Sequence, residues 1–198
     1  MANPTVEESG KPLAGSVTLV TGGGRGVGLA AASALASAGA HVTLAARTKS
    51  EIEQAAATIR ARGDQAETLV LDVTDIDAVR KAIAQAAPFQ ILINNAGMNR
   101  PAYLPDVTIE DFDAIFALNV RAAFFTAHAV ALRLIAAKLP GSIINVSSHV
   151  GAARRSVYCA SKHAVEGFTK AMAIDGSPTA SSNPSTTSSI TAATPGTR

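Results

Sequence analysis

The chain has 198 residues, of which 47% are apolar and 16% charged, a length and balance that suit one globular domain with a sizeable core. A net charge of +2 with no polybasic stripe argues against nucleic acid or an anionic membrane as partner. The single cysteine, Cys159, rules out an internal disulfide and fits a reducing cytoplasmic setting, and the opening MANPTVEESGKP has no apolar run of the kind a secretion signal needs.

Strand-like and helix-like segments alternate in chain order. Val17–Thr21 is a short apolar run that ends in a glycine cluster, which predicts a buried strand. Gly28–Gly39 is Ala-rich with helical period, and Gly39 closes it as a C-cap glycine does. His41–Ala46 predicts a second strand, and Ser50–Arg62 an amphipathic helix with Thr48 or Ser50 as its cap and Gly63 beyond it. Glu67–Leu71 reads as a strand, Asp75–Ala87 as a helix and Phe89–Ile93 as a fourth strand running into Asn94-Asn95-Ala96-Gly97. Thr108–Lys138 is mostly helical in two pieces. Its most apolar part, Ala122 to Ala137, is broken by His128 and Arg133 and reads as a buried helix, not a membrane span. Ser142–Ser147 predicts a fifth strand and Tyr158–Ile174 a further helix. Short strands separated by helices imply βαβ units: an α/β, doubly wound parallel sheet of Rossmann type in three α/β/α layers. Residues 1–12 read as an N-terminal extension and 13–175 as the domain. From Gly176 the composition turns to Ser, Thr, Ala and Pro with Ile190 as the one large aliphatic residue, which predicts a disordered tail over 176–198.

The first strand ends in Thr21-Gly22-Gly23-Gly24-Arg25-Gly26-Val27-Gly28. Glycine permits a close backbone approach that a Cβ forbids, and the following helix aims its free N–H groups at the turn, as a pyrophosphate site requires. A merely flexible glycine loop is the competing reading. The turn's place between strand and helix favours the dinucleotide. An acid at the end of the second strand would bind the ribose hydroxyls of NAD. Here Ala45-Ala46-Arg47 offers none, and Arg47, with Arg25 behind it, suits a 2′-phosphate and hence NADP(H) over NAD(H). Two solvated surface arginines are the alternative.

Tyr158 and Lys162 stand four residues apart and share a helix face. An ordinary phenol titrates near pH 10, and a neighbouring ammonium favours its ionised form. That pairing suits a general acid and base, although a surface pair at this spacing also arises by chance. It follows a strand ending in Ser147-Ser148, and α/β sheets place ligands at strand ends. Cys159 has no His partner in sequence and reads as packing. His41, His128, His149 and His163 show no metal spacing. Phe112, Phe116, Phe124, Phe125 and Phe168 fit helix packing.

Together these motifs resemble the short-chain dehydrogenase/reductase family over residues 13 to 175: Thr21-Gly22-x-x-x-Gly26-x-Gly28, Asp72, Asn94-Asn95-Ala96-Gly97, Asn119, Ser148 and Tyr158-x-x-x-Lys162 occur in its order and approximate spacing. The resemblance implies hydride transfer between a nicotinamide cofactor and a carbonyl or alcohol of small size. It gives Ser148 the substrate oxygen, Tyr158 the proton, Lys162 the nicotinamide ribose and Asn119 a relay water. Asp72 and Val73 become adenine contacts. Gly24, Arg25, Val27, Asn95, Ala96 and Gly97 line the cofactor, and Asn94 braces the sheet. A homodimer or homotetramer through the two long helices, Asn119–Lys138 and Tyr158–Ile174, is implied as well.

Two departures from the family stand out. The interval from Ser148 to Tyr158 is shorter than its usual loop by about three residues, where catalytic geometry must hold to about 0.5 Å. The change at Gly176 suggests a truncated or frame-shifted member that lacks the last strands: codons for a His-Gly-Ile-like stretch, read one base later, begin Thr-Ala-Ser, as Thr179-Ala180-Ser181 does here. Ala193-Thr194-Pro195-Gly196-Thr197 is the competing remnant of the family's Pro-Gly segment. A catalytically inactive dinucleotide-binding protein is accordingly the alternative to an enzyme.

Overall fold

Successive residues of β1 (Val17–Thr21) leave for opposite sides of a sheet: Leu19 joins one buried apolar cluster and Val20 another. That alternation, repeated at Leu92 and Ile93 of β4 (Ile91–Asn94), makes a sheet buried on both faces. The computed structural model describes residues 10–148, 151, 153–175 and 188–193. Its remaining strands are β2 (His41–Ala46), β3 (Ala66–Val70), β5 (Gly141–Val146) and β6 (Ser188–Ala193), and every pairing is parallel in the order β3-β2-β1-β4-β5-β6.

Helices α1 (Gly26–Ser37) and α2 (Lys49–Arg60) cover one face, where Ala32, Ala36, Ile52, Ala56 and Ile59 meet Val20, Val42, Leu44 and Ile93. The Ala-rich inner side of α1 brings its backbone close to the strands. On the other face α3 (Ile76–Gln85) and α5 (Ala123–Ala137) pack Val79, Ile83, Ala127, Val130 and Leu134 on Leu19, Leu92 and Ile143. The Asp75 carboxylate accepts from the Ala78 N–H and caps α3, whereas Thr48 holds the cap position of α2 without a side-chain bond. The last long helix, α6 (Ser156–Asp175), joins the α5 side, with Phe168 edge-on to Phe124 at 5.5 Å. The three-layer α/β/α, Rossmann-like architecture follows.

The α5 helix continues from α4 (Ile109–Phe116) through a π-helical turn, Ala117–Ala122, so Ile109–Ala137 is one helical stretch of 29 residues. By length and composition it is apolar enough to cross a membrane. Its Ile115, Ala122, Ala127, Val130 and Leu134 are buried, the last four of them in the cluster against the sheet.

One expectation is corrected. Within the tail expected to be disordered, Ser188–Ala193 forms β6, in register with β5 from Gly141↔Ser188 to Val146↔Ala193. Strand pairing is carried by backbone N–H and C=O groups, which a count of large apolar side chains overlooks, and Ile190 and Thr191 are β-branched. Residues 1–9 of the expected extension, 176–187 of the tail and 194–198, which hold most of the suggested Pro-Gly remnant, lie outside the described residues.

Candidate functional site

Strand order reverses between β1 and β4: the chain moves outward through β2 and β3, then returns to the other side of β1. Crossovers on opposite faces part there and open a crevice at the carboxyl ends of the strands. Thr21 and Asn94, the last residues of the two strands, are register partners at its floor.

Hydrogen bonds between the turns after β1 and β4 shape this floor. The Thr21 hydroxyl accepts from the N–H groups of Asn95 at 3.0 Å and Ala96 at 3.1 Å. The Asn95 amide donates to the carbonyls of Thr21 at 3.1 Å and Gly22 at 3.2 Å. Asn94 donates to the Ala123 carbonyl at 2.6 Å and to Asn145 Oδ1 at 3.0 Å, and so braces the sheet as expected. Two glycines are obligatory. Gly22 has φ +65°, and a Cβ on Gly28 would overlap the Gly22 carbonyl oxygen.

A cleft of about 360 Å³ opens above the turn. Gly22, Gly24, Arg25 and Val27 line one side, Arg47, Asp72 and Val73 another, and Asn95, Ala96 and Gly97 lead toward α5. The opening residues of α1 include no acid, and Arg25 at its N-cap makes no side-chain cap bond, so its first amides face the cleft uncapped. The Arg25 guanidinium is unpaired among the described residues. A bare amide end, a glycine turn that a Cβ would fill and an unpaired cation fit a dinucleotide pyrophosphate. Arg47 is 67% exposed and stands 3.9 Å from Asp72. The Thr74 hydroxyl, 2.7 Å from Asp72 Oδ1, holds that carboxyl below the usual carboxylate range, with the Thr74 N–H and Arg47 adding to it.

Past Gly97 a network of buried hydrogen bonds begins. Asn119 lies in the π-helical turn and is 1% exposed. Such turns displace backbone groups and recur at functional sites. Asn119 Oδ1 accepts from the Met98 N–H at 2.8 Å, and Nδ2 donates to the Met98 carbonyl at 2.9 Å and to the Ser161 hydroxyl at 3.0 Å. Its side chain is thus committed, and a water held there would use main-chain atoms. Lys162 is 6% exposed and donates to the Val146 carbonyl at 2.7 Å. Burial lowers its ammonium from 10.5 to about 8. The same ammonium lies 5.8 Å from the centroid of the half-buried Tyr158 ring. A Cβ on Gly97 would come within 3.2 Å of Asn119 Oδ1 and 3.7 Å of Lys162 Nζ, so the glycine turn and the Tyr–Lys pair share one crevice.

The end of β5 is fastened to α6 independently of the short loop between them. Asn145 donates to Thr169 at 3.0 Å, and Ser147, 1% exposed, donates to Glu166 Oε1 at 2.9 Å and lies 3.3 Å from the Lys162 carbonyl. Ser148 follows, half-buried, with Tyr158 on the next helix. The carbonyl of Arg154, a residue with φ +62° in this loop, accepts from the Ala102 N–H at 3.0 Å and ties in the wall after Gly97.

Five of the sequence-predicted cofactor residues stand apart from the cleft lining: Thr21 and Gly28 are buried behind the turn as its support, Gly26 is exposed with φ +56°, and Tyr158 and Lys162 lie beyond Gly97. Sequence reasoning missed Glu51, whose side chain lines the cleft against Gly24, and the supporting pair Ser147 and Glu166. Glu51 sits in the first turn of the helix that follows the second strand and lines the same crevice.

The family model for short chain dehydrogenases matches residues 16–192. Gluconate 5-dehydrogenase from Gluconobacter oxydans is 41% identical over 170 residues, and L-xylulose reductase from Mesocricetus auratus is 37% identical over 166. Each match covers 82% of this chain, which spans 66% of the length of either relative. A crystal structure of gluconate 5-dehydrogenase from Burkholderia cenocepacia, in complex with NADP and tartrate, superimposes with a TM-score of 0.77 at 35% identity and covers 84% of this chain and 68% of that one.

Proposed function

The chain belongs to the short-chain dehydrogenase family, and on that premise we propose that it is an NADP(H)-dependent oxidoreductase interconverting a carbonyl and an alcohol. One observation carries the reading: Gly97 joins the pyrophosphate-shaped turn to the buried Lys162, beside the Tyr158 phenol, in a single crevice. When bound, a nicotinamide dinucleotide supplies or accepts the hydride. The protein's part is to position and to move a proton. Tyr158 gives its phenolic proton to the carbonyl oxygen in reduction and takes it back in oxidation. The Lys162 ammonium stabilises the phenolate that results and reaches toward the ribose of the bound cofactor. Ser148 donates a hydrogen bond to the substrate oxygen, and Asn119 fixes Met98 and Ser161 around the pair.

At the other end Gly24, Val27 and the α1 amides take the pyrophosphate. Asp72 and Val73 flank the adenine, and Arg47 with Arg25 meets the 2′-phosphate. The names of the relatives, L-xylulose reductase and gluconate 5-dehydrogenase, favour a small polyhydroxylated ketone or its alcohol as substrate. Pairing of two copies through α5 and α6 belongs to the same reading, and Leu132, Ile135 and Ile174 on those helices are more than half exposed.

The test is titration of the full chain with NADPH by fluorescence, followed by initial rates on a panel of keto sugars. Binding with turnover that Tyr158→Phe abolishes supports the proposal. Binding without turnover on any ketone leaves a dinucleotide-binding protein, the reading that the short interval between Ser148 and Tyr158 favours. Absence of binding sinks both.

A further inference from the structure

The end of β2 carries no acid, but the next helix brings one to the cleft. Glu51 lies in the first turn of α2 and lines the cleft together with Arg25, Arg47 and Asp72. Its stem and carboxylate lean on the glycine turn: a Cβ on Gly24 would meet Glu51 Cβ at 3.1 Å and Oε2 at 3.4 Å. Of its neighbours only Arg25 is unpaired among the described residues. Asp72 is held by Thr74, Arg47 faces Asp72 at 3.9 Å, and Lys49 faces Glu53 at 3.6 Å. The Glu51 carboxylate has no hydrogen-bond or ion-pair partner among the described residues. The four charges that line this end, Arg25, Arg47, Glu51 and Asp72, therefore sum to zero, with one unpaired anion, Glu51, and one unpaired cation, Arg25, beside the turn.

We propose that Glu51 is a specificity-determining residue for the cofactor: its carboxylate accepts the hydroxyls of an unphosphorylated adenosine ribose and repels a 2′-phosphate, offsetting Arg47. This rests on the reading of the cleft as a dinucleotide site. An ionised carboxylate is a hydrogen-bond acceptor only, so it has oxygens for two ribose hydroxyls and no donor for a phosphate. Two like charges in a partly exposed cleft repel by an amount that depends on salt, which sets the conditions for a test. The chain consequently takes both NADH and NADPH instead of excluding the former, with dissociation constants within about tenfold of each other, or about 1.4 kcal/mol.

The experiment is fluorescence titration of NADPH and of NADH into the full wild-type chain and into Glu51→Gln at low ionic strength, with thermal melting as a check on folding. Glu51→Gln is expected to melt with the wild type, to bind NADPH more tightly and NADH more weakly, and to shift the ratio of the two dissociation constants toward NADPH by about fivefold or more. Glu51→Lys is expected to move it further in the same direction. A ratio that stays within about twofold, or moves toward NADH, overturns the role of Glu51 while leaving the dinucleotide site standing. A wild-type chain that binds neither nucleotide overturns both readings together.

Discussion

The two ends of the cleft are built on opposite principles. At the adenosine end Arg47 is 67% exposed, its contact with Asp72 is 3.9 Å long, and Glu51 and Arg25 are unpaired among the described residues. At the proposed catalytic end Asn119, Ser161 and Lys162 are at most 6% exposed, and the side-chain polar atoms of these three residues each have a partner within 3.0 Å. Exposed charges contribute little to folding and are screened by salt, so that end is adjustable at small cost to stability. Buried polar groups are high-stakes: an atom left unpaired there costs its full desolvation. Cofactor preference therefore drifts independently of the fold, whereas the chemistry is bound up with it.

The largest effect expected is at the buried end and tests whether chemistry there separates from folding at all. Tyr158→Phe removes a proton donor from a half-buried ring whose hydroxyl supports no hydrogen bond described above. It is expected to cut kcat by roughly a hundredfold to ten-thousandfold, the range for loss of a general acid, with NADPH affinity and melting temperature unchanged. A melting temperature that falls with the activity would erase the distinction.

Lys162 ties stability and activity together with opposite signs. Its folded-state pKa of about 8 lies below the unfolded 10.5, so between those values the unfolded chain holds the extra proton. Stability therefore rises with pH across that window, by about 3 kcal/mol in all, and the cost of the buried ammonium is present in full below it. Over the same window the Lys162 charge disappears, and on the proposal that it supports a Tyr158 phenolate kcat/KM is expected to fall above about pH 8. Urea unfolding from pH 7.5 to 10.5 checks the first half, because the slope should be absent from Lys162→Met. A pH–rate profile checks the second.

The same comparison explains what was legible in the residues. The central strands were readable because a sheet buried on both faces demands apolar runs such as Val17–Thr21, and β3, exposed over most of its length, stood out as a short segment between two helices. The exception, β6, is made of Ser, Thr, Ala and one Ile, and its pairing is a backbone property. The turn glycines and the Tyr158–Lys162 spacing were legible because their chemistry needs particular residue types at fixed separations. Glu51 and Glu166 were not. Each is a common surface residue type on a helix, and only the packing of α2 against the glycine turn and of α6 against β5 gives it something to face. Thr21 belongs to the motif, and its hydroxyl bonds behind the turn to the Asn95 and Ala96 N–H groups.

Ser147→Ala comes next in size. The change leaves the Glu166 carboxylate without the donor it has at 2.9 Å, in half-buried surroundings. A loss of about 1–3 kcal/mol in chemical denaturation is expected, with a drop in kcat if the end of β5 that carries Ser148 shifts. Ser147→Ala in a Glu166→Gln background should cost less than in the wild type, because the acceptor left behind is no longer charged. Additive losses would show that the two side chains act separately.

The smallest effect belongs to the exposed end. Arg47→Ala removes a guanidinium that is two-thirds exposed and contributes little to folding, so the melting temperature should not move. If Arg47 meets the 2′-phosphate, NADPH affinity should fall several-fold at low salt, NADH affinity should hold, and the difference should shrink as salt approaches 1 M, where screening acts over about 3 Å. Loss of both affinities together would mean instead that Arg47 orders the turn, and the adenosine end would then be as tightly built as the catalytic one. A guanidinium with only a long contact to Asp72 has little with which to order anything, and for that reason the selective loss is the outcome expected.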